Sequence, residues 1–118
     1  MNWYKLSQNI QTYKGYKIIG FNPQTKQFYS IFDKSVYHNI KIGTIFSNPK
    51  GIYLGTSYQF CMDYYSCGTE DEHKEFILTL DYSSKDIIKG DPTCTNGEIV
   101  VSSCKITNIE EINKEEYC

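Results

Sequence analysis

Short apolar segments bounded by turn-forming residues limit what this chain can fold into more than any other feature. They are rich in aromatic and β-branched residues, and several alternate apolar with polar side chains, which is typical of strands. The clearest segment is 76–82 (FILTLDY), and similar patterns occupy 13–21, 26–33, 52–54 and 98–106. Gly, Pro and Asn clusters separate them and favour tight turns. The sequence therefore predicts five or six short strands.

One segment carries a helix pattern instead. Thr56 or Ser57 is a suitable N-cap for a helix that begins at Tyr58, and Gly68 is expected to end it. Residues four apart lie on one face of a helix, and the apolar pairs at this spacing are Phe60 with Tyr64 and Cys61 with Tyr65.

These elements together predict an α+β fold. We expect a compact, twisted, mainly antiparallel sheet with one or two short helices. The 118 residues are enough for a single domain with its own core. Residues 1–12 are interpreted as an N-terminal arm and residues 107–118 as a C-terminal tail that is edge-like or loosely helical.

Charge and composition restrict the partners. The chain has a net charge of −2 and contains lysine but no arginine. It therefore lacks both the basic surface and the guanidinium forks that duplex nucleic acid usually requires. No apolar run approaches the ~20 residues of a membrane span, and the first ten residues lack the apolar core of a signal peptide. We expect no duplex nucleic-acid partner and no membrane partner.

Five cysteines at irregular spacing, without a CxxC pair, favour free thiols in a reducing compartment, and hence the cytoplasm.

Neither histidine lies near a cysteine pair, so no metal site is predicted. His73 falls in an acidic segment that is expected to be solvated. The chain has no P-loop, no GxGxxG and no HExxH.

The order of short motifs resembles the ADP-ribosyltransferase fold. Gly51-Ile52-Tyr53-Leu54, followed by a helix with Tyr64 or Tyr65, is similar to that family's Gly-Ile-Tyr-Phe strand and its later tyrosine. Gly55-Thr56-Ser57 resembles the Ser-Thr-Ser motif of the arginine-directed branch. Glu98, opening an apolar strand, resembles the catalytic glutamate segment. In outline, residues 13–112 also resemble small domains of phages and large DNA viruses that look like degenerate members of this superfold.

The resemblance implies roles for particular residues. The two tyrosines would clamp a nicotinamide ring, and Glu98 would hold a ribose hydroxyl and stabilise the charge that develops as the ring leaves. Lys14 stands where the family has His or Arg for gripping NAD, and Asn96 stands where the arginine-directed branch has a second acid. The implied site is Lys14, Tyr53, Ser57, Tyr64 and Tyr65 for binding, with Glu98 for catalysis.

Three functions stay open at this point. The first is a viral or phage accessory protein whose tyrosine-lined cleft binds a nucleotide or NAD-like ligand without full transferase activity. The second is a non-enzymatic module that binds a host protein, or another copy of itself, through a tyrosine-rich surface. The third is active transfer of ADP-ribose, with Glu98 as the essential carboxylate. Packing of the tyrosines in the core and at its rim explains the same motifs without any ligand.

Overall fold

The structure is a computed structural model that describes residues 10–118, so most of the expected N-terminal arm lies outside the described residues. Within this range the chain forms an antiparallel sheet and two short helices, and the predicted α+β class is confirmed. The strands are β1 (Thr12–Asn22), β2 (Gln27–Ser30), β3 (Val36–Tyr37), β4 (Ile45–Gly55), β5 (Lys74–Ser83), β6 (Ile87–Lys89) and β7 (Glu98–Glu111). The helices are α1 (Tyr58–Tyr65) and α2 (Lys114–Tyr117), with a 3-10 turn at Ser84–Asp86.

The sheet curls until four of its strands form a ring. β1 pairs along its whole length with β5, β5 pairs with β7, and β7 pairs with β4. β4 returns to β1 through a single residue pair, Tyr16 with Gly55. β2 pairs with the same edge of β1 as β4 does, from Ile19 onward, and β3 pairs with β2. The ring is therefore closed firmly on one side of β1 and by one contact on the other.

Alternation along the strands gives the protein two apolar clusters, one on each face of the sheet. The inner cluster contains Ile19, Leu54, Leu78, Leu80, Tyr82, Ile99, Val101, Cys104 and Ile106. The outer cluster contains Ile18, Ile77 and Ile112, which α1 covers with Cys61 and Met62. Ile18 and Ile19 are both buried, so β1 is covered on both faces. Of the two predicted caps, Thr56 and Ser57, it is Ser57 that caps α1, and its side chain accepts a hydrogen bond from the backbone N–H of Phe60 at 3.1 Å.

β4 is one continuous strand with a bulge at residues 47–51, where the sequence has the turn-forming residues Asn48, Pro49 and Gly51. Ser47 pairs with Ser103, and Ile52 pairs with Val101. The chain therefore advances by five residues along β4 while it advances by only two along β7. The Asn48 side chain accepts a hydrogen bond from the backbone N–H of Lys50 at 3.0 Å. Gly51 has a φ of +117°, a conformation that glycine adopts without strain. These residues therefore form a bulge within β4, and the strand continues beyond it to Gly55.

The prediction of a C-terminal tail from residue 107 is wrong for its first part. β7 continues to Glu111 and pairs with β5 through residues 106–111. Ile109 is half-buried and packs against the inner cluster, whereas Asn108, Glu110 and Glu111 are exposed. The high charge of the segment concealed a strand whose exposed face is polar. The last residues form α2, as a loosely helical tail would.

A buried carboxylate organises the loop after α1. Glu75 is fully buried, and it accepts hydrogen bonds from the backbone N–H groups of Cys67 (2.8 Å) and Thr69 (3.0 Å) and from the Thr69 hydroxyl. Lys114 donates to the same loop at the Thr69 hydroxyl and at the backbone carbonyls of Glu70 and His73. Hydrogen bonds to Glu75 and Lys114 therefore hold this loop in place.

His73 does not lie in a solvated loop, as the acidic neighbourhood suggested. Its ring shares a 2.6 Å hydrogen bond with the hydroxyl of Tyr29, and only 17% of its side chain is exposed. The neighbouring acids point outward, whereas the histidine turns toward the sheet.

The expectation of free thiols throughout is also wrong. Cys67 and Cys118 form a disulfide that ties the C-terminus to the loop after α1. Cys61 and Cys104 are buried free thiols, and Cys94 is a partly exposed one.

In the part of the chain that the structure describes, neither helix is long and apolar enough to cross a membrane.

Replacing Glu75 by Ala should lower the free energy of unfolding by about 3 kcal/mol, because two backbone N–H groups and the Thr69 hydroxyl lose their acceptor. Urea denaturation measures this loss, and Glu75→Gln should lose less because its amide oxygen still accepts. The matched control is Glu111→Ala at an exposed position of β7. An equal loss in both Ala variants would contradict the role of Glu75.

Thiol counting should distinguish three classes of cysteine. We expect one reactive thiol in the folded protein, at Cys94, because burial raises the pKa of both Cys61 and Cys104 to about 12. Denaturation without a reductant should expose these two as well, and reduction should release Cys67 and Cys118. Mass spectrometry after alkylation assigns each one, and rapid labelling of Cys118 in the folded, unreduced protein would contradict the disulfide.

Candidate functional site

An open cleft lies along the edge of β1 where the ring is closed by one residue pair. Its volume is about 690 Å³, and it separates the β2–β3 hairpin from β4. The hairpin side contributes Ser30, Phe32, Asp33, Ser35 and Tyr37; the β4 side contributes Phe46, Ser47, Asn48, Gly51, Ile52 and Tyr53; Lys17 and Glu98 complete the lining. This volume falls within the range of roughly 300–1,000 Å³ that small-molecule sites occupy.

Lys17 is the basic side chain among the residues that line this cleft. Its ammonium donates a 3.3 Å hydrogen bond to the backbone carbonyl of Tyr53 and lies 5.8 Å from the centre of the Phe32 ring. It forms no ion pair with any carboxylate of residues 10–118. Burial lowers the pKa of this amine, although the negative charges of Asp33 and Glu98 act in the opposite direction. Lys17 is therefore a half-buried amine with two of its three donors unused by the described residues.

Tyr65 and Glu98 form a hydrogen-bonded pair at the inner end of the cleft. Tyr65, the last residue of α1, donates its phenolic hydrogen to Oε1 of Glu98, the first residue of β7. Burial, together with this hydrogen bond and the carboxylate charge, raises the pKa of the Tyr65 phenol. Phe32 and Phe60 flank the ring at centroid distances of 5.4 and 6.0 Å. The tyrosine thus stays protonated and is held in place from both sides.

The structure brings three of the six residues predicted for the site to this place. Tyr53, Tyr65 and Glu98 together line a small recess that continues the cleft inward, beside Lys17. Tyr53 is 56% exposed, because β4 turns its ring outward while the next residue, Leu54, is buried in the core. The segment 52–54 is apolar throughout, but its central residue lies at the surface.

The other three predicted residues do other work. Ser57 caps α1 and donates its hydroxyl to the carbonyl of Thr95 at 2.6 Å. Tyr64 is 72% exposed and packs on Phe60 at 4.6 Å, away from the residues that line the cleft. Lys14 forms an exposed ion pair with Asp81 at 2.9 Å. Neighbouring positions in a strand or helix point in different directions, and sequence order alone left the choice between them open.

Lys17 was missed by sequence reasoning, although a signal for it exists. It shares strand parity with Tyr13 and Ile19, which contact the inner cluster, whereas Lys14 has the opposite parity. A lysine that falls on the apolar face of a buried strand is a candidate for a functional role. The motif resemblance instead implied a binding role for Lys14, three residues earlier in the same strand.

No group of three or more potential metal ligands occurs among residues 10–118. Comparisons with protein-family models, with curated proteins and with solved structures find no match to this chain. The chemistry of the cleft must therefore be argued from its own residues: one cation, two carboxylates, several hydroxyls and a set of aromatic rings.

Replacing Glu98 by Gln should lower the pKa of the Tyr65 phenol, because the phenolate would no longer face a negative charge. Carbon NMR of labelled tyrosines during a pH titration measures this change. Tyr58 is the internal control, since its raised pKa depends on burial and on Glu110. A pKa of Tyr65 that is the same in both proteins would contradict the pairing with Glu98.

Proposed function

We propose that this cleft binds a nucleotide or an NAD-like ligand and that the protein lacks a full transferase set. The observation that carries the proposal is the position of Lys17, an amine without an acidic partner among the described residues, at an aromatic-lined cleft. A phosphate group would use the ammonium donors that the protein leaves free. Hydroxyl and amide side chains of Ser35, Ser47 and Asn48 add polar partners along the cleft.

The aromatic lining supports a flat ring in the ligand. Phe32 and Tyr53 are 64% and 56% exposed, and both line the cleft. Aromatic side chains at such a site gain from stacking with a nucleobase or nicotinamide, and they bind a cationic ring through their π-faces. Glu98 would accept a hydrogen bond from a ribose hydroxyl. These are the interactions that the resemblance to ADP-ribosyltransferases implies, with Lys17 in place of Lys14.

The wider assignment rests on element order. We propose a degenerate ADP-ribosyltransferase-like fold in a phage or viral accessory protein that acts in the host cytoplasm. Its support is the succession of β1, the Gly51-Ile52-Tyr53 segment of β4, α1, β5 and the Glu98 strand, which follows the three-motif order. In a reducing cytoplasm the Cys67–Cys118 disulfide would be open to reduction, so the thiol state inside cells tests the compartment.

A protein partner is the second candidate. Phe32, Tyr53, Tyr64 and Tyr117 are exposed aromatic side chains, and aromatic residues are enriched at protein interfaces. Two of these four, Phe32 and Tyr53, line the cleft, so half of the exposed aromatic side chains belong to the proposed ligand site.

A panel of NAD, ADP-ribose, cyclic dinucleotides and mononucleotides should contain a ligand that raises the thermal midpoint. At a hundred times its Kd, a ligand stabilises the folded state by about 2.7 kcal/mol, which a thermal-shift assay detects. Calorimetry should then show that Lys17→Gln weakens binding about tenfold or more, because a charge-assisted hydrogen bond is lost.

Lys14→Gln is the matched control, since it removes a lysine of the same strand outside the cleft. Binding that survives Lys17→Gln, or that fails equally in Lys14→Gln, would contradict the assignment of the site. A blank across the whole panel would reject the nucleotide proposal, and a pull-down would then test the protein-partner candidate.

A further inference from the structure

The two lysines of β1 face opposite environments. Lys14 has Asp81 at 2.9 Å, and this hydrogen bond and charge raise the pKa of its amine. Lys17 has one neutral acceptor, the Tyr53 carbonyl, within hydrogen-bonding distance in the described chain. Burial removes water from Lys17, which favours its neutral form and lowers the pKa of the amine. A neutral amine is a nucleophile, whereas an ammonium is not.

The charges that face Lys17 come from several elements. Asp33, after β2, and Glu98, at the start of β7, line the cleft beside it, and the buried thiols of Cys61 and Cys104 lie behind it. Hydrogen bonds from Ser35 lower the pKa of Asp33, which therefore stays ionised at neutral pH. Burial keeps both thiols neutral. Asp33 and Glu98 therefore offset part of the cost of burying a positive charge at this nitrogen, and this includes the charge of a protonated imine.

We propose that Lys17 is a nucleophilic lysine that forms an imine with a carbonyl compound bound in the cleft. The arrangement that carries this is an amine without an acidic partner in the described chain, directed at a cavity large enough for a small molecule and lined by a carboxyl group. The proposal does not rest on nucleotide binding, because it requires only a carbonyl group. The preferred compounds are uncharged aldehydes or ketones with a flat apolar part. Once Lys17 has reacted, the remaining fixed charges of the cleft are the negative ones of Asp33 and Glu98.

The reaction needs no oxidant, reductant or cofactor. The nitrogen lone pair of Lys17 attacks the carbonyl carbon, a C–N bond forms, and the electron pair of the C=O π bond moves to oxygen. The nitrogen then loses a proton and the oxygen takes one up, which gives a neutral carbinolamine whose nitrogen has its lone pair back. A second proton transfer to this oxygen lets the C–O bond break and water leave. The nitrogen lone pair then completes the C=N bond. Glu98 lines the same cleft, so we assign it the transfer of these protons.

Reductive trapping tests the proposal on the unmodified protein. Benzaldehyde with cyanoborohydride converts each imine into a stable benzylamine, and peptide mass spectrometry locates it. At neutral pH Lys17 should gain the benzyl group at least several-fold faster than any other lysine, and its labelling should reach a plateau at a lower pH. Labelling that is fastest at another lysine, or a Lys17 profile that follows Lys14, would overturn the proposal.

Two variants sharpen the result. Lys17→Met should remove the fast labelling and Lys14→Met should retain it. Glu98→Gln should slow adduct formation at Lys17 without changing the rate at Lys14, which separates proton transfer from a general loss of structure. Because the main comparison is between lysines of one protein, it holds even where the Lys17→Met variant fails to fold. Selective labelling of Lys17 together with a blank nucleotide panel would support this inference and reject the nucleotide proposal.

Discussion

The structure depends on how one edge of β1 is divided between two partners. β2 occupies this edge from Ile19 onward, and β4 meets it only at Tyr16. Neither strand pairs with Lys17 or Ile18 there. The ring of strands therefore closes without sealing, and the gap becomes the cleft. A longer β1–β4 ladder would have buried this edge and left Lys17 no room.

The opening is stabilised by two features on either side of it. The bulge in β4, with Gly51 at positive φ, separates the strand's paired portions beside the cleft. On the other side, α1 covers Ile18 and places Tyr65 against Glu98. Neither feature belongs to the inner core, so the inner cluster can stay tightly packed while the cleft remains open. The apolar clusters give the domain its stability, and the polar groups at the gap give it a possible chemistry.

Much of the fold could be predicted from local patterns. The strand at 76–82 and the Ser57 cap each follow from residues that are neighbours in sequence. The errors have non-local causes. The continuation of β7 to Glu111 depends on pairing with β5, and the disulfide joins residues 51 positions apart. His73 turns inward because Tyr29, on a distant strand, offers it a hydrogen bond. None of these partners can be read from the segment itself.

The candidate site shows the same limit more sharply. Tyr53, Tyr65 and Glu98 were named from motif order, and they do line one recess. The motif order named Lys14 as the lysine of this site. In the structure, however, the alternation of side chains along β1 places Lys17 beside these three residues. The difference matters chemically: Lys14 is neutralised by Asp81 in solvent, whereas Lys17 has one carbonyl acceptor in a partly dry cleft. A charge that is screened and paired contributes little to recognition, while a half-buried amine without an acidic partner in the described chain retains its capacity to bind or react. The position of one side chain relative to the pleat therefore decides which of the two lysines can take part in function.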